Sequence, residues 1–535
     1  MTPPGRSARA LRGVVTNYAA SLLVAVTGFV LVPIVLRFIS REEYGLWTTL
    51  GQAIAYFSLL DFGVGSALIR RTAQLRSEPD ADTAISRALS TGVAVFAALG
   101  GIVLVAGLVM AALLPRLIHL PDGQASVARV LLLVLVIYTA TAFPVRAALK
   151  TLYGLQEMAS ANLLAMLEGL LSPVIAVILL MAGVGLLSLP VATAGAGIVP
   201  GAIAFWLLAS RTPPLRVRLS SVTGAEARDL FRWSALLWLN SLAVVIIYQT
   251  DNLVVASGAG LGTAAAYALT TRLPLYALPL IVVLADSCVP GAVELGAQGR
   301  IDRLRDVYVG VLRVTGVLAV GAALVAVTVN GAFVRLWVGA AQYGGFALTC
   351  FAAGILVYRV LMQTASIVVL GVGRLRGVVL MSLVEAALNL GLSVWWVRRF
   401  GAPGVAAGTL AAGLLTSGWF VTWTTARLLT VPVRELLWRG LGLPLACAAP
   451  AALLAAAMRP AVAQPGWLTV AGTAAVVGGV YALALLAAGT TRAEREALWR
   501  RVRRLDAATD RGTELVVAHA DVRPVGAGTP VDAAR

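Results

Sequence analysis

The sequence has little of what catalytic sites are made from. Two histidines, His119 and His519, and a single lysine, Lys150, stand beside 41 arginines, so imidazole general bases are scarce. The three cysteines, Cys288, Cys350 and Cys447, lie far apart within or beside apolar runs, with neither a disulfide framework nor the paired spacing of a zinc site. No glycine-rich loop ends in Gly-Lys-Ser or Gly-Lys-Thr, which excludes that form of ATP site. No metal and no cofactor is expected.

Charge is also scarce, at 13% of 535 residues, and apolar residues fill the space. With 59% hydrophobic residues and a mean hydropathy of +0.88, the chain is too apolar for a soluble protein of this length and reads as a polytopic membrane protein. The net charge of +17 would suggest nucleic acid in a soluble protein; here arginine holds helix ends in the cytoplasm, and no nucleic-acid partner is expected.

A helix needs about 20 apolar residues to cross a bilayer. Fourteen stretches qualify: 14–36, 45–68, 89–114, 128–149, 160–183, 188–210, 233–256, 263–287, 311–330, 345–368, 377–397, 404–426, 441–458 and 467–489. With residue 1 inside, the inside segments hold 32 of the 42 Lys and Arg and the outside segments 8, while Arg272 and Arg359 fall within spans. That asymmetry predicts two cytoplasmic termini. Residues 1–13 lead into an uncleaved first helix, and the longest exterior loop is PRLIHLPDGQASV, so no exterior domain is expected. Beyond residue 490, TRAEREALWRRVRRLDAA reads as a short basic helix on the anionic leaflet or a solvated basic tail, followed by a disordered end.

The pattern repeats after six spans. Asn17 and Tyr44 are matched at an offset of 223 by Asn240 and Tyr267, and GLQEMASANLLAMLEGLL aligns at an offset of 217 with GVGRLRGVVLMSLVEAAL, pairing Gly154 with Gly371 and Glu168 with Glu385. An even repeat gives both copies one orientation. The expected fold is therefore all-α: two pseudo-symmetric six-helix lobes, 14–210 and 233–426, joined by a cytoplasmic linker at 211–232. Two extra spans at 441–489 and a cytoplasmic segment at 490–535 follow. Two lobes around a cavity allow alternating access, which favours a carrier over a channel or enzyme.

Four stretches carry a resemblance: LVPIVLRFISREEYGLWTTL, AYFSLLDFGVGSALIRR, WLNSLAVVIIYQTDNLVVASGAGLGTAAAYALTTRL and FVRLWVGAAQYGG. They resemble the oligosaccharide and polysaccharide flippases of the multidrug/oligosaccharidyl-lipid/polysaccharide superfamily, over residues 14 to about 430. The resemblance implies a bacterial cytoplasmic-membrane protein that moves an undecaprenyl-pyrophosphate-linked oligosaccharide to the outer leaflet. Its partners would be that lipid, membrane lipids, a polysaccharide polymerase and glycosyltransferases. Rival readings are a lipid II flippase, a drug/cation antiporter, and a membrane-embedded polymerase or ligase. The enzyme reading lacks a sizeable exterior loop, the antiporter reading wants an acidic cavity, against which the midplane Arg359 argues, and the lipid II reading wants a denser cluster of arginines in the first lobe's cavity, where only Arg37, near the outer end of span one, is found.

Charges inside spans cost about 2.5 to 3.5 kcal/mol at a helix centre, so each needs a reason. Arg359 lies mid-span in AGILVYRVLMQ, and Arg272 lies in the outer half of span eight beside Pro274 and Pro279. Their forked donors suit a pyrophosphate; the alternative is a structural pair with a carboxylate such as Glu385 or Asp286. The acidic candidates for coupling or gating are Asp61, Glu168, Asp251, Asp286 and Glu385. Glu168 and Glu385, equivalent by the repeat, either carry a coupling proton or are neutral and bonded to Asn162 and Asn389. Asp61, about two turns from Arg70 and Arg71 and next to Gly63 and Gly65, makes either a gate contact or an ordinary helix-packing hydrogen bond.

Overall fold

The structure is a computed structural model that describes residues 22–23, 26–76, 78–117, 124–211, 214–232, 235–458 and 466–489. His119, His519, Asn17 and the basic segment after residue 490 lie outside the described residues. No strand occurs among the described residues. Hydrocarbon cannot hydrogen-bond to a peptide group, so long apolar runs close their bonds internally as helices.

In the first half of the chain these are α1 (Val26–Phe38), α2 (Arg41–Phe57), α3 (Val64–Leu75), α4 (Ala81–Leu117), α5 (Gln124–Gly154), α6 (Met158–Met181) and α7 (Ser188–Ala209). A short α8 (Gly224–Arg232) occupies the linker. The second half has α9 (Ala235–Gln249), α10 (Asp251–Ala259), α11 (Leu261–Ala297), α12 (Ile301–Val338), α13 (Phe346–Val372), α14 (Leu375–Gly413) and α15 (Trp419–Leu428). Then come α16 (Val433–Leu437), α17 (Leu443–Ala457) and α18 (Trp467–Ala484).

Eleven of the described helices are long and apolar enough to cross a membrane, or twelve if the bent pair α2–α3 counts as one, against the fourteen expected. The difference has two sources. Expected spans eleven and twelve lie in one unbroken stretch, Leu375–Leu428, made of two helices that fold back on each other at Gly401 (φ 61°, ψ −144°): Ser393 Oγ donates to Val405 O at 3.5 Å, and a methyl at Gly404 would lie 2.6 Å from Trp396 O. The described part of the first span, Val26–Phe38, is too short to count alone.

The α2–α3 bend of 44° has a local cause. Phe62 (φ 47°) and Gly63 (φ 74°) are both left-handed, which costs a phenylalanine but not a glycine. Asp61 Oδ1 accepts the Gly63 N–H at 2.8 Å and satisfies a donor that the break frees.

Contacts recur at the repeat's own offsets. A methyl at Gly154 would lie 2.8 Å from Ile69 O, and one at Gly371 would lie 2.9 Å from Ala292 O, so each half brings two helices to backbone contact at the same place. Tyr138 donates to Glu168 and Tyr358 donates to Glu385, each at 3.0 Å.

Two ends of the bundle differ in how the halves meet. We call the end carrying Arg71, Gly154 and Gly371 the basic end, and the end carrying Arg41, Gly260 and Gly345 the far end. At the far end one buried core runs from α2, α4 and α5 into Leu261–Leu269, Trp337, Leu348 and Val405 of the second half. At the basic end the second half has a separate core around Ala292, Leu304, Val368 and Leu429. Among the described residues, the hydrogen bonds, ring contacts and close approaches between α11 and the first half fall between Leu261 and Tyr276; beyond them Leu280, Leu284 and Val293 are exposed. The halves are thus closed on each other at the far end and part along α11 toward the basic end.

Candidate functional site

A cavity of about 240 Å³ lies between the halves just below the closed far end. Helix α2 contributes Tyr44, Thr48 and Gln52. The second half contributes Tyr248 and Asp251, then Tyr267, Thr271, Arg272 and Tyr276 of α11, with Arg359 of α13 and Thr409 of α14. Arg272 and Arg359, 87 positions apart in sequence, are therefore brought to one chamber.

Neither arginine has a carboxylate at ion-pair distance among the described residues. Arg359 stacks over the Tyr248 ring, 3.8 Å from its centroid. Arg272 donates to Tyr276 Oη at 2.8 Å and across the halves to Tyr44 Oη at 3.0 Å. Both guanidiniums are oriented by phenols and an aromatic face, which leaves their charge uncompensated by close contact. The structural pairing with Glu385 or Asp286 is not found: Glu385 accepts from Tyr358, and exposed Asp286 accepts from Gln363 Nε2 at 3.0 Å.

Asp251 is the cavity's carboxylate, only 6% exposed, and it accepts from Tyr267 at 2.7 Å and Thr409 at 3.0 Å. Tyr44 and Tyr267, equivalent by the repeat, thus each hold one charged group, a guanidinium and a carboxylate. Next to Asp251, Asn252 donates its side-chain amide to Thr48 Oγ1 at 3.0 Å and its N–H to Gln52 at 3.1 Å, and Tyr56 bonds Thr250, stitching α2 to α10. Arg41 Nε donates to Gly262 O at 2.8 Å above them.

Other expected residues fall elsewhere. Arg37 is exposed on α1 and does not line the cavity. Glu168 and Glu385 sit within their own halves on tyrosine partners. Of the asparagines expected to serve them, Asn162 accepts from Tyr153 at 3.1 Å, and both polar atoms of Asn389 lack a partner.

Two cations that sequence reasoning missed lie in the first half. Arg146 and Lys150 occupy one face of α5, half-buried, with Lys150 crossing Gly65 beside Asp61; a methyl at Gly65 would lie 3.0 Å from Lys150 Cε and 3.5 Å from Asp61 Oδ2. In sequence they look like the basic residues that mark a helix end. The signal was there in their i, i+4 spacing and in Lys150 being the chain's only lysine. Asp61 therefore acts twice, capping the bend and facing the α5 cations. Asp61→Asn keeps the Oδ1 acceptor, so it is expected to insert normally and retain at least about a third of transport. Asp61→Leu is expected to lower both, because the Gly63 N–H is left unpaired. Membrane yield and transport measured on both variants check this.

Comparison with known proteins adds three findings. A family model described as polysaccharide biosynthesis protein matches residues 10–294. No curated protein matches the sequence. Among solved structures, the fold is similar to an inward-facing MATE-family multidrug resistance transporter of the MOP superfamily (TM-score 0.65, 13% identity, covering 78% of this chain and 98% of that one). It is also similar to the lipid II flippase MurJ in an inward closed conformation (0.64, 12%, 88% and 98%). A third is a MOP-superfamily transporter from Pyrococcus furiosus, described as having a binding pocket of reverse polarity (0.56, 15%, 80% and 99%).

Proposed function

Because this chain belongs to the polysaccharide biosynthesis protein family and folds as a multi-pass transporter of the MOP superfamily, we propose that it flips an undecaprenyl-pyrophosphate-linked oligosaccharide from the inner to the outer leaflet of a bacterial cytoplasmic membrane. It does so without enzymatic chemistry, by alternating access of lobes 14–210 and 233–426. The observation that carries this reading is an interlobe cavity, shut at the far end, lined by two guanidiniums neither of which has the cavity's one carboxylate, Asp251, at ion-pair distance. Arginine stays charged in such a chamber, and its fork fits paired phosphate oxygens. Positive charge at the basic end, taken as cytoplasmic with both termini, attracts the lipid headgroup from that side.

The polyprenyl tail is far longer than a cavity of about 240 Å³ can hold. An apolar cavity of about 790 Å³ between α11, α12 and α18, lined by Leu273, Ala277, Ile281, Val325, Val470 and Tyr481, suits a stretch of isoprenoid. Leu273 follows Arg272 directly, so α11 would separate headgroup from tail.

A second reading, the lipid II flippase, is favoured by one observation: Arg146 and Lys150 add two half-buried cations to the first half, beside Asp61 and outside the lining of the interlobe cavity. One experiment separates the two. Cells lacking the protein are expected to accumulate a lipid-linked oligosaccharide on the inner leaflet while lipid II turnover is unchanged. Accumulated lipid II instead supports the second reading, and no accumulation of either overturns both.

A further inference from the structure

Proline lacks the N–H that would bond the carbonyl four residues earlier, and an unfilled carbonyl inside an apolar bundle is costly. Two such carbonyls lie at the far end: Phe29 O, four residues before Pro33 in α1, and Thr270 O, four before Pro274 in α11. Helix α12 fills both. Trp337 Nε1 donates to Phe29 O at 2.7 Å, and Asn330 Nδ2 donates to Thr270 O at 2.9 Å. The donors are seven residues apart, two helical turns on one face.

What they join differs. Thr270 and Asn330 are both in the second half, so that bond need not change when the halves move. Phe29 is in the first half, and its ring is boxed in by Tyr276 (4.7 Å between centroids), Trp337 (5.2 Å) and Phe333 (5.7 Å), all from the second.

We propose that Trp337 is a releasable latch: its indole N–H, seated on the carbonyl freed by Pro33, holds the two halves shut at the far end, and the bond breaks whenever the cavity opens there. A proline-freed carbonyl suits this use. It has no helical donor to compete for it in the shut state, and in the open state it faces a hydrated cleft where water replaces the indole. The inference rests on the alternating-access reading above and adds to it the contact that sets how often the far end opens.

The test uses full-length protein in sealed vesicles, with Cys288→Ser, Cys350→Ser and Cys447→Ala. Thr48→Cys serves as reporter, since residue 48 lines the cavity under the closed end. A membrane-impermeant maleimide is applied from each face in turn. Trp337→Phe keeps a ring and loses the donor, and is expected to raise far-end labelling about threefold to tenfold, the worth of one hydrogen bond. Asn330→Leu is expected to leave it unchanged. In a Pro33→Ala background the N–H of residue 33 returns to Phe29 O, so adding Trp337→Phe should change labelling by less than about twofold. Unchanged labelling with Trp337→Phe, or the same increase in both backgrounds, overturns the latch and leaves Trp337 as ring packing. No far-end labelling in any variant overturns the alternating-access premise itself.

Discussion

Replacing Arg359 by glutamine is expected to cut transport by about thirtyfold or more, with protein level and membrane insertion unchanged. Arg359 carries full charge against an aromatic face, with no acidic side chain at contact distance. Removing one partner of a desolvated charge pair costs about 2 to 5 kcal/mol, and a pyrophosphate left facing only Arg272 would incur a cost of that order. Insertion survives because no contact ion pair is broken: the Tyr248 ring loses a stacking partner, and Asp251, the carboxylate of the same cavity, keeps its hydrogen bonds from Tyr267 and Thr409. Arg359→Lys keeps the charge and loses the fork, and falls between the two. Inner-leaflet accumulation of the lipid-linked oligosaccharide in cells carrying each variant ranks them, and glutamine at wild-type level would refute the assignment.

Gly45→Ala is expected to abolish cycling by a different route. A methyl there would lie 2.0 Å from Leu261 O, and the obstacle is backbone, which cannot rotate away. The residue sits mid-helix in α2, where alanine is otherwise preferred, so the added carbon opposes only the meeting of the halves. The far end then fails to close, and the cavity is held open on that face. Transport should drop at least about tenfold, while far-end labelling at residue 48 rises. Gly51, six residues on in the same helix with nothing within 4 Å of its added carbon, supplies the control: Gly51→Ala is expected to be silent. Loss of inserted protein in Gly45→Ala alone would make the contact one of assembly and not of gating.

Much of this architecture can be read from residue order, because each layer that can be read is local. Apolar runs fix helices, and the repeat of Glu168 and Glu385 survives as equivalent tyrosine-bound carboxylates. Their donors, Tyr138 and Tyr358, are themselves 220 positions apart, close enough to the repeat offset to have been found. Asp61 at the α2 bend is legible too, as an aspartate two residues ahead of a left-handed glycine. What sequence hides is tertiary. Arg272 and Arg359 meet only because α11 and α13 pack side by side, Lys150 reaches Asp61 only across α3, and Trp337 finds Phe29 from 308 positions away. The two expected spans at 377–397 and 404–426 are there as two helices, but they join at a single turned glycine, Gly401, with no loop between them, and the first span is described only over Val26–Phe38.

The central claim is that this chain moves a pyrophosphate-linked lipid on the charge of its cavity. Purified protein in proteoliposomes carrying a polyprenyl-pyrophosphate-linked oligosaccharide measures it directly, by the rate at which lectin-accessible sugar passes from one leaflet to the other. The account predicts transfer well above protein-free vesicles, falling to that background with Arg359→Gln. Transfer equal in wild type, variant and empty vesicles, or equal for wild type and Arg359→Gln, would contradict it.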